Sequence, residues 1–333
     1  MTQTILLTGG AGYIGSHTCV ALQEAGFDVV MVDDFSNARP DVPDRIARIT
    51  GRPVTCHRGS VLDRELLRGI FAEHDIAAAV HFAARKAVGE SIERPLDYLE
   101  TNVSGLIALL QEMAAAGVFR LVFSSSATVY GQAEVVPVTE AAPRGYENPY
   151  GLTKLLGEQM LEGLMAADPR WEVGLLRYFN PVGAHASALI GEEPDGLPNN
   201  LMPYIARVAT GALPHLNVFG DDYDTPDGTG IRDYIHVCDL AEGHVQSLAH
   251  LMEGGGAHTV NLGTGQGTSV LEMLAAYSAA CGRALPHEIR PRRAGDVARM
   301  VADPTRARAL LGFEARRDLA RMCASSWAFV QGR

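Results

Sequence analysis

Short runs of apolar and β-branched residues alternate with longer segments of helical periodicity in the first half of the chain. The runs that predict strands cover residues 4–8, 29–32, 54–57, 78–83, 121–124 and 173–178. These runs are too continuously apolar for strands with one face in water, which favours a parallel sheet covered by helices on both faces. We therefore predict a doubly wound α/β domain, the Rossmann type of fold, over residues 1–180.

The alternation ends near residue 180, where loops rich in Gly, Pro and Asn begin. Two such stretches span residues 180–200 and 220–230, and loops of this kind often line binding sites. A further strand at 259–262 and a helix at 270–281 predict a smaller α/β lobe within residues 181–333. Part of residues 233–263 is expected to rejoin the sheet of the first domain.

Composition and charge narrow the class of protein. The 333 residues are 47% hydrophobic and 20% charged, which suits two folded domains without a membrane span. A net charge of −11 argues against a general role on nucleic acid or on anionic membranes. The five cysteines are scattered without a CxxC pair, so neither disulfides nor a metal site is predicted. With no signal peptide evident, we expect a cytoplasmic protein.

A glycine-rich segment follows the first predicted strand and opens a predicted helix. Gly9, Gly12 and Gly15 are three residues apart, and glycines let the backbone approach a pyrophosphate held by the N–H groups of the helix start. Asp33 ends the second predicted strand, where its carboxylate would accept from adenosine ribose hydroxyls and repel a 2′-phosphate. The segment therefore predicts an NAD site.

Candidate catalytic residues lie near the fifth predicted strand and after Pro149. Tyr150 and Lys154 are four residues apart in a predicted helix, so both side chains leave the same face. A cation beside a phenol lowers the phenol's pKa, which makes Tyr150 a candidate general base and acid. Ser126 follows a predicted strand end and is a candidate partner for the reacting hydroxyl. Only two of the 28 basic residues are lysines, Lys86 and Lys154, which draws attention to both amines.

Six segments in order resemble the extended short-chain dehydrogenase/reductase family, and within it the branch that epimerises nucleotide sugars. They are GGAGYIGSH (9–17), HFAARKAVGES (81–91), SSSATVYG (124–131), RYFNPVGA (177–184), PNNLMPY (198–204) and GIRDYIHV (230–237). The resemblance implies interconversion of UDP-glucose and UDP-galactose at sugar carbon 4, a step of galactose metabolism. It also implies a retained NAD, reduced and reoxidised in each turnover, and a homodimer.

The resemblance also assigns residues. Tyr150 exchanges the proton of the 4-hydroxyl, Ser126 orients that hydroxyl, and Lys154 lowers the tyrosine pKa and holds the nicotinamide ribose. The implied cofactor contacts are Gly9, Gly12, Tyr13, Ile14, Gly15, Asp33, Asn37, Ser60, Val61, Phe82, Ala83, Lys86, Thr101, Tyr150, Lys154 and Phe179. The implied substrate contacts are Ser126, Tyr150, Asn180, Asn200, Leu201, Asn217, Val218, Phe219, Arg232, Arg293, Asp296 and Met300. Among them, Arg232 and Arg293 are expected to bind the diphosphate, because a guanidinium can donate two parallel hydrogen bonds to phosphate oxygens.

Some positions depart from the family pattern and leave alternatives open. Ser60 replaces a usual acid, Thr101 a common Asn, and Ala84 a usual Gly. Met300 stands where side-chain bulk is associated with admitting N-acetylated sugars, so a 4-epimerase of another UDP-sugar, N-acetylated or pentose, is the alternative. A nucleotide-sugar dehydratase is disfavoured because Ala127-Thr128 stands where that reaction places an Asp-Glu pair. A catalytically silent NAD-binding protein is the other rival.

Overall fold

The computed structural model describes residues 2–194, 196, 198, 200–293 and 295–332. Its strands are β1 (Thr4–Thr8), β2 (Asp28–Asp33), β3 (Thr55–Arg58), β4 (Ile76–His81), β5 (Arg120–Ser126), β6 (Glu172–Tyr178), β7 (Asn180–Val182), β8 (Leu216–Phe219), β9 (Ile231–His236), β10 (His258–Leu262), β11 (Gly267–Ser269), β12 (His287–Arg290) and β13 (Arg299–Met300). The helices are α1 (Tyr13–Glu24), α2 (Val42–Thr50), α3 (Arg64–Glu73), α4 (Val88–Glu93), α5 (Pro95–Leu99), α6 (Gly105–Ala115), α7 (Pro149–Ala167), α8 (Leu201–Ala209), α9 (Val237–Met252), α10 (Val270–Cys281), α11 (Thr305–Leu311) and α12 (Leu319–Gln331).

Seven parallel strands form the main sheet, in the order β10-β6-β5-β4-β1-β2-β3. Alternate residues of β1 pack into cores on opposite faces, with Ile5 and Leu7 on one side and Leu6 on the other. Both faces are thus buried, which explains why the strands are apolar without alternation. The order reverses between β1 and β4, and doubly wound sheets bind ligands at the carboxyl ends of the strands beside such a reversal. The predicted α/β fold class is confirmed.

Two smaller sheets lie outside the main one. A mixed sheet joins β11, β9 and β13, with β7 paired to β9, and β8 pairs with β12. Helices α8, α10 and α12 pack with these strands in a third apolar core. Strand β7 falls inside the stretch that the sequence predicts as loop, because its three residues pair with β9 rather than with the main sheet.

The last strand of the main sheet comes from late in the chain. Strand β10 pairs with β6, and α9 packs against α1, β5 and β6. Residues 237–262 therefore complete the main sheet with β10 and cover one of its faces with α9. They lie within residues 233–263, part of which the sequence predicts to rejoin this sheet. Within the described residues, no helix is both long and apolar enough to span a bilayer.

Candidate active site

The glycine-rich turn connects β1 to α1 in close contact with its surroundings. Gly9 has a φ of +67°, and its N–H donates to Val32 O at 2.8 Å. A Cβ at Gly9 would lie 2.7 Å from Ala83 N, and one at Gly15 would collide with Gly9 O. The turn thus leaves no room for side chains and brings backbone N–H groups to the start of α1, which fits a pyrophosphate.

Asp33 holds this turn from the end of β2. Its Oδ2 accepts from Ala11 N at 2.9 Å, and its Oδ1 accepts from Phe35 N at 2.9 Å. Burial raises the pKa of Asp33, while these backbone donors act in the opposite direction. Each oxygen has a further lone pair, so the carboxylate can also accept from a ribose; that role stays a prediction.

An opening beside the turn is lined by Ala11, Tyr13, Asn37 and Lys86 and closed on one side by residues 190–194. Tyr13 donates its hydroxyl to Gly183 O at 2.7 Å, so it fastens α1 to the second half of the chain. Ile14, the next residue of α1, packs against the apolar core under the turn. The opening gathers the predicted contacts Tyr13, Asn37 and Lys86 beside the glycine-rich turn.

Most of the remaining predicted cofactor residues follow strand ends, and Thr101 lies in a helical turn. Phe82 and Ala83 come directly after β4, and their N–H groups donate to Thr8 O at 2.9 and 3.0 Å. Ser60 Oγ accepts from Leu62 N at 3.2 Å, so its hydroxyl forms a local turn. The side chain of Val61 is buried in the core, which leaves only its main chain for a ligand. Thr101 is half-buried in a turn of π-helix, Glu100–Ser104.

Helix α7 presents the catalytic pair from its first turns. Asn148 caps the helix by accepting from Gly151 N at 2.9 Å, and Pro149 occupies a first-turn position that suits proline. Burial raises the pKa of Tyr150 to about 12, while a hydrogen bond with Ser126 acts to lower it. The structure thus places Tyr150 and Ser126 together at the carboxyl end of β5.

Lys154 has a hydrogen-bond partner that the sequence does not predict. Its Nζ donates to Ser124 O at 2.6 Å, and burial lowers the pKa of Lys154 to about 8. The lowering of the Tyr150 pKa expected from Lys154 and a bound nicotinamide stays a prediction, and in the protein alone burial raises that pKa. The sequence interpretation missed this because it considered charge and not the cost of burying a phenolate.

A buried ion-pair network supports this helix from below. Glu158 accepts from Ser125 Oγ at 2.5 Å and from Arg177 Nη2 at 2.7 Å. Burial acts to raise the pKa of Glu158, but hydrogen bonds from Arg177, Ser125 and Arg144 outweigh it and hold the pKa below its usual value. The network ties α7 to β5 and β6, so the catalytic turn of the helix is held against the sheet.

Phe179 and Met300 lie next to this centre. Both are buried in one apolar cluster with Ala127 and Leu155, which adjoin Ser126 and Lys154 in the chain. Met300 is 8% exposed and pairs with Arg232 across β13 and β9. The predicted gate is therefore brought beside the predicted catalytic residues.

The arginines and Asn180 occupy the smaller lobe. Asn180 is exposed at the start of β7. Arg232 donates Nη1 to Val297 O at 2.8 Å, and Arg293 pairs with Asp296 at 2.9 Å. The Arg293 guanidinium also lies 4.8 Å from the centroid of the Phe219 ring. Arg293, Asp296 and Phe219 thus lie close together, with the Arg293 side chain exposed and the other two half-buried.

Three of the implied substrate contacts, Asn217, Val218 and Phe219, follow one another in β8. Along β8 the side chains alternate, so Asn217 and Phe219 are half-buried while Val218 is buried in the core of the lobe. Val218 can therefore offer a ligand only its main chain, and its substrate contact stays a prediction. Leu201 also packs mainly against that core.

Glu192 is a residue that the sequence interpretation missed. Its Oε1 accepts from Lys86 Nζ at 3.1 Å and from Asn200 Nδ2 at 2.9 Å. One carboxylate oxygen thus joins a predicted cofactor contact to a predicted substrate contact. The only signal in the sequence is the pair Glu192-Glu193 after Gly191, and the sequence does not show which side chains this pair contacts.

These features define a class of protein. A parallel sheet of this order, a glycine-rich turn held by an acidic strand end, and a Tyr-Lys pair after β5 are typical of short-chain dehydrogenase/reductases. The chain belongs to the NAD dependent epimerase/dehydratase family, whose model matches residues 5–263. Both the predicted family and the predicted NAD cofactor are confirmed.

Individual relatives are similar along almost the whole chain. The UDP-glucose 4-epimerase of Bacillus subtilis is 54% identical, over 97% of this chain and 95% of its own length. That of Neisseria meningitidis serogroup A is 53% identical, over 98% and 97%. The UDP-glucose-4-epimerase structure from Stenotrophomonas maltophila, with bound NAD and formylated UDP-arabinopyranose, matches with a TM-score of 0.98 and 52% identity, covering 99% of this chain and 98% of that one.

Proposed function

We propose that this protein interconverts UDP-glucose and UDP-galactose by reversible oxidation at carbon 4 of the sugar. The observation that carries the proposal is the meeting of Tyr150 and Ser126 at the carboxyl end of β5. The similarity to curated UDP-glucose 4-epimerases over nearly the full chain supports the same reaction.

Tyr150 moves the proton. Its phenol oxygen withdraws the proton of the sugar 4-hydroxyl as a 4-keto sugar forms, and it returns the proton after the sugar has turned. NAD, when bound, supplies a reversible acceptor for the hydride of carbon 4 and a positive charge near the phenol. Such a charge opposes the effect of burial, so Tyr150 needs it to act as a base near neutral pH.

Ser126 and Lys154 position this step. Ser126 Oγ accepts from Thr128 N at 3.2 Å, which leaves its own proton for the sugar oxygen or the tyrosine. Lys154 has two donors beyond the one given to Ser124 O, and these suit the ribose hydroxyls of the cofactor. The amine is buried, so its orientation is held by α7 and β5 rather than by solvent.

We assign the two lobes different ligands. Residues 1–180 would bind NAD through the opening at Tyr13, Asn37 and Lys86, and residues 181–333 would mainly bind the UDP-sugar. Arg232 and Arg293 are suited to the diphosphate because each presents planar donors to paired oxygens. Phe219 offers a ring for the uracil. We further propose a cytoplasmic homodimer that acts on neither nucleic acid nor membranes.

The test uses purified protein without added cofactor. Incubation with UDP-galactose should yield UDP-glucose, detected by proton NMR, because NAD is expected to be retained. Heat-released supernatant should contain NAD in amounts near one per chain. Conversion only of UDP-N-acetylgalactosamine or of a UDP-pentose would contradict the assigned substrate, and tight NAD without any conversion would contradict the assigned activity.

A further inference from the structure

Two histidine rings meet at the outer edge of the main sheet. His57 lies in the edge strand β3, and His74 is the residue at which α3 is capped. Their Nε2 atoms are 3.2 Å apart, and their ring centroids are 5.4 Å apart. A carboxylate oxygen of Glu73, the last residue of α3, lies 3.8 Å from His74 Nε2. Three side chains from two elements therefore converge on one point.

The spacing of these atoms matches that of ligands around one ion. One ligand atom from each of the three residues lies within 4.8 Å of the others. Zinc binds imidazole nitrogen at about 2.0–2.1 Å, so two nitrogens at tetrahedral corners are roughly 3.3 Å apart. The observed 3.2 Å between the Nε2 atoms agrees with that value. The Glu73 side chain is 64% exposed and can turn to shorten its distance.

The chemistry of the donors selects the kind of ion. Two imidazoles and one carboxylate suit zinc and its transition-metal neighbours, whereas calcium and magnesium prefer sites made of oxygen ligands. A fourth position would be left for water, since His74 is 20% exposed and Glu73 lies at the surface. Without an ion, one ring must donate to the other, and two protonated rings would repel each other at this distance.

We propose that His57, Glu73 and His74 form a binding site for one divalent transition-metal ion, with Zn²⁺ as the ion that fits best. The ion would link β3, which among the described residues pairs with β2 alone, to the end of α3. It would stabilise the folded chain because the three ligands come together only after folding. The sequence interpretation predicted no metal, since 16 residues separate the two histidines without a familiar ligand spacing.

The experiment uses the tag-free holoenzyme after removal of metals with EDTA. Titration with ZnCl₂ at pH 7.5, followed by calorimetry, should show one ion bound per chain. Addition of Zn²⁺ should raise the melting temperature, and Co²⁺ in its place should give the visible absorption of a tetrahedral site.

Matched variants identify the ligands. His57→Asn and His74→Asn should each weaken Zn²⁺ binding at least about 100-fold, and Glu73→Gln about tenfold. His287→Asn removes an exposed strand histidine in β12 and should leave binding unchanged. Circular dichroism without metal checks that each variant folds. Absence of binding in the unmodified protein, or equal binding by the His74→Asn variant, would overturn the site; neither result bears on epimerase activity.

Discussion

Tyr150 and Lys154 leave one face of α7 but meet different partners, and this difference shows what a sequence spacing conveys. The interval of four residues predicts the shared face correctly, because it follows from helical geometry. It does not predict that Lys154 Nζ donates to Ser124 O, since that contact depends on how α7 packs on β5. Burial then decides the pKa values of both groups.

Tyr150→Phe tests the proton-transfer role. The variant keeps the ring and removes the hydroxyl, so turnover of UDP-galactose should fall by about 10²-fold or more. The NAD content should stay near that of the unmodified protein, because the change leaves the glycine-rich turn intact. Coupled assay of UDP-glucose formation and chromatography of released NAD measure the two quantities. Turnover near the original level would remove Tyr150 from the proton-transfer step.

Met300→Ala tests the gate beside the catalytic centre. Met300 packs with Phe179 and Ala127, so truncation opens space next to the site. The ratio of kcat/KM for UDP-N-acetylgalactosamine to that for UDP-galactose should rise.

Met273→Ala is the matched control, since that methionine is fully buried in a different apolar core, the one that α8, α10 and α12 form. Both changes should cost about 2–5 kcal/mol of unfolding free energy, but only the first should alter the ratio. An unaltered ratio in Met300→Ala would exclude a role for Met300 in specificity.

At the scale of elements, prediction succeeds where the local pattern and the packing agree. The first strand and the helix over residues 270–281 match the structure in both bounds. That helix has a capping box, in which Ser269 and Glu272 satisfy each other's backbone donors. Its start is therefore determined by nearby residues alone.

Prediction is less accurate where an element's end depends on a distant partner. The fourth strand ends at His81 rather than at residue 83, because the N–H groups of Phe82 and Ala83 both turn toward Thr8 O. Strands β7 and β13 have three and two residues, too few for a period to be visible in sequence. The role of Glu192 also depends on distant partners, because Lys86 and Asn200 lie 106 and eight residues away in the chain. The sequence interpretation therefore missed it.

The segment over residues 191–194 gives a prediction of its own. Glu192→Gln removes the charge that Lys86 and Asn200 share, while Glu193→Gln acts on Arg39 and Arg45, which lie 3.5 and 3.7 Å from Glu193. Hydrogen bonds to charged groups contribute about 1.5–3 kcal/mol, so Glu192→Gln should weaken UDP binding by about tenfold. The same variant should lose NAD faster on dialysis.

Glu193→Gln serves as the control for this segment. It changes a neighbouring carboxylate of the same kind, so its effect on UDP affinity should be smaller. Calorimetry with UDP and absorbance of retained NAD make the comparison. Equal losses in the two variants would indicate general weakening of the segment and contradict a specific link through Glu192.

At the scale of the whole molecule, buried histidines make stability depend on pH. Burial lowers the pKa of His17, His81 and His236 to about 3 and that of His244 to about 4. Below about pH 6.5 the unfolded chain binds protons that the folded chain does not, so stability falls as the pH falls. Each of these histidines lowers the free energy of unfolding by about 1.4 kcal/mol for every unit that the pH falls between 6.5 and its pKa in the folded chain.

Urea unfolding at pH 7, 6 and 5 measures this dependence. His81→Asn should reduce the slope by about one proton, because Asn can keep a hydrogen bond with Thr8 without titrating. Unfolding free energies that stay constant from pH 7 to pH 5 would contradict the prediction.

The position of β10 has a consequence for how the protein is made. This strand belongs to the main sheet and α9 packs on that sheet, although both follow the smaller lobe's first strands in the chain. During synthesis the first 180 residues leave the ribosome with the edge of β6 open and the face beneath α9 exposed to water. Such an edge invites pairing with other chains. The sheet of the nascent chain is therefore completed only when β10 and α9 have been synthesised. A fragment that ends near residue 180 should aggregate rather than fold.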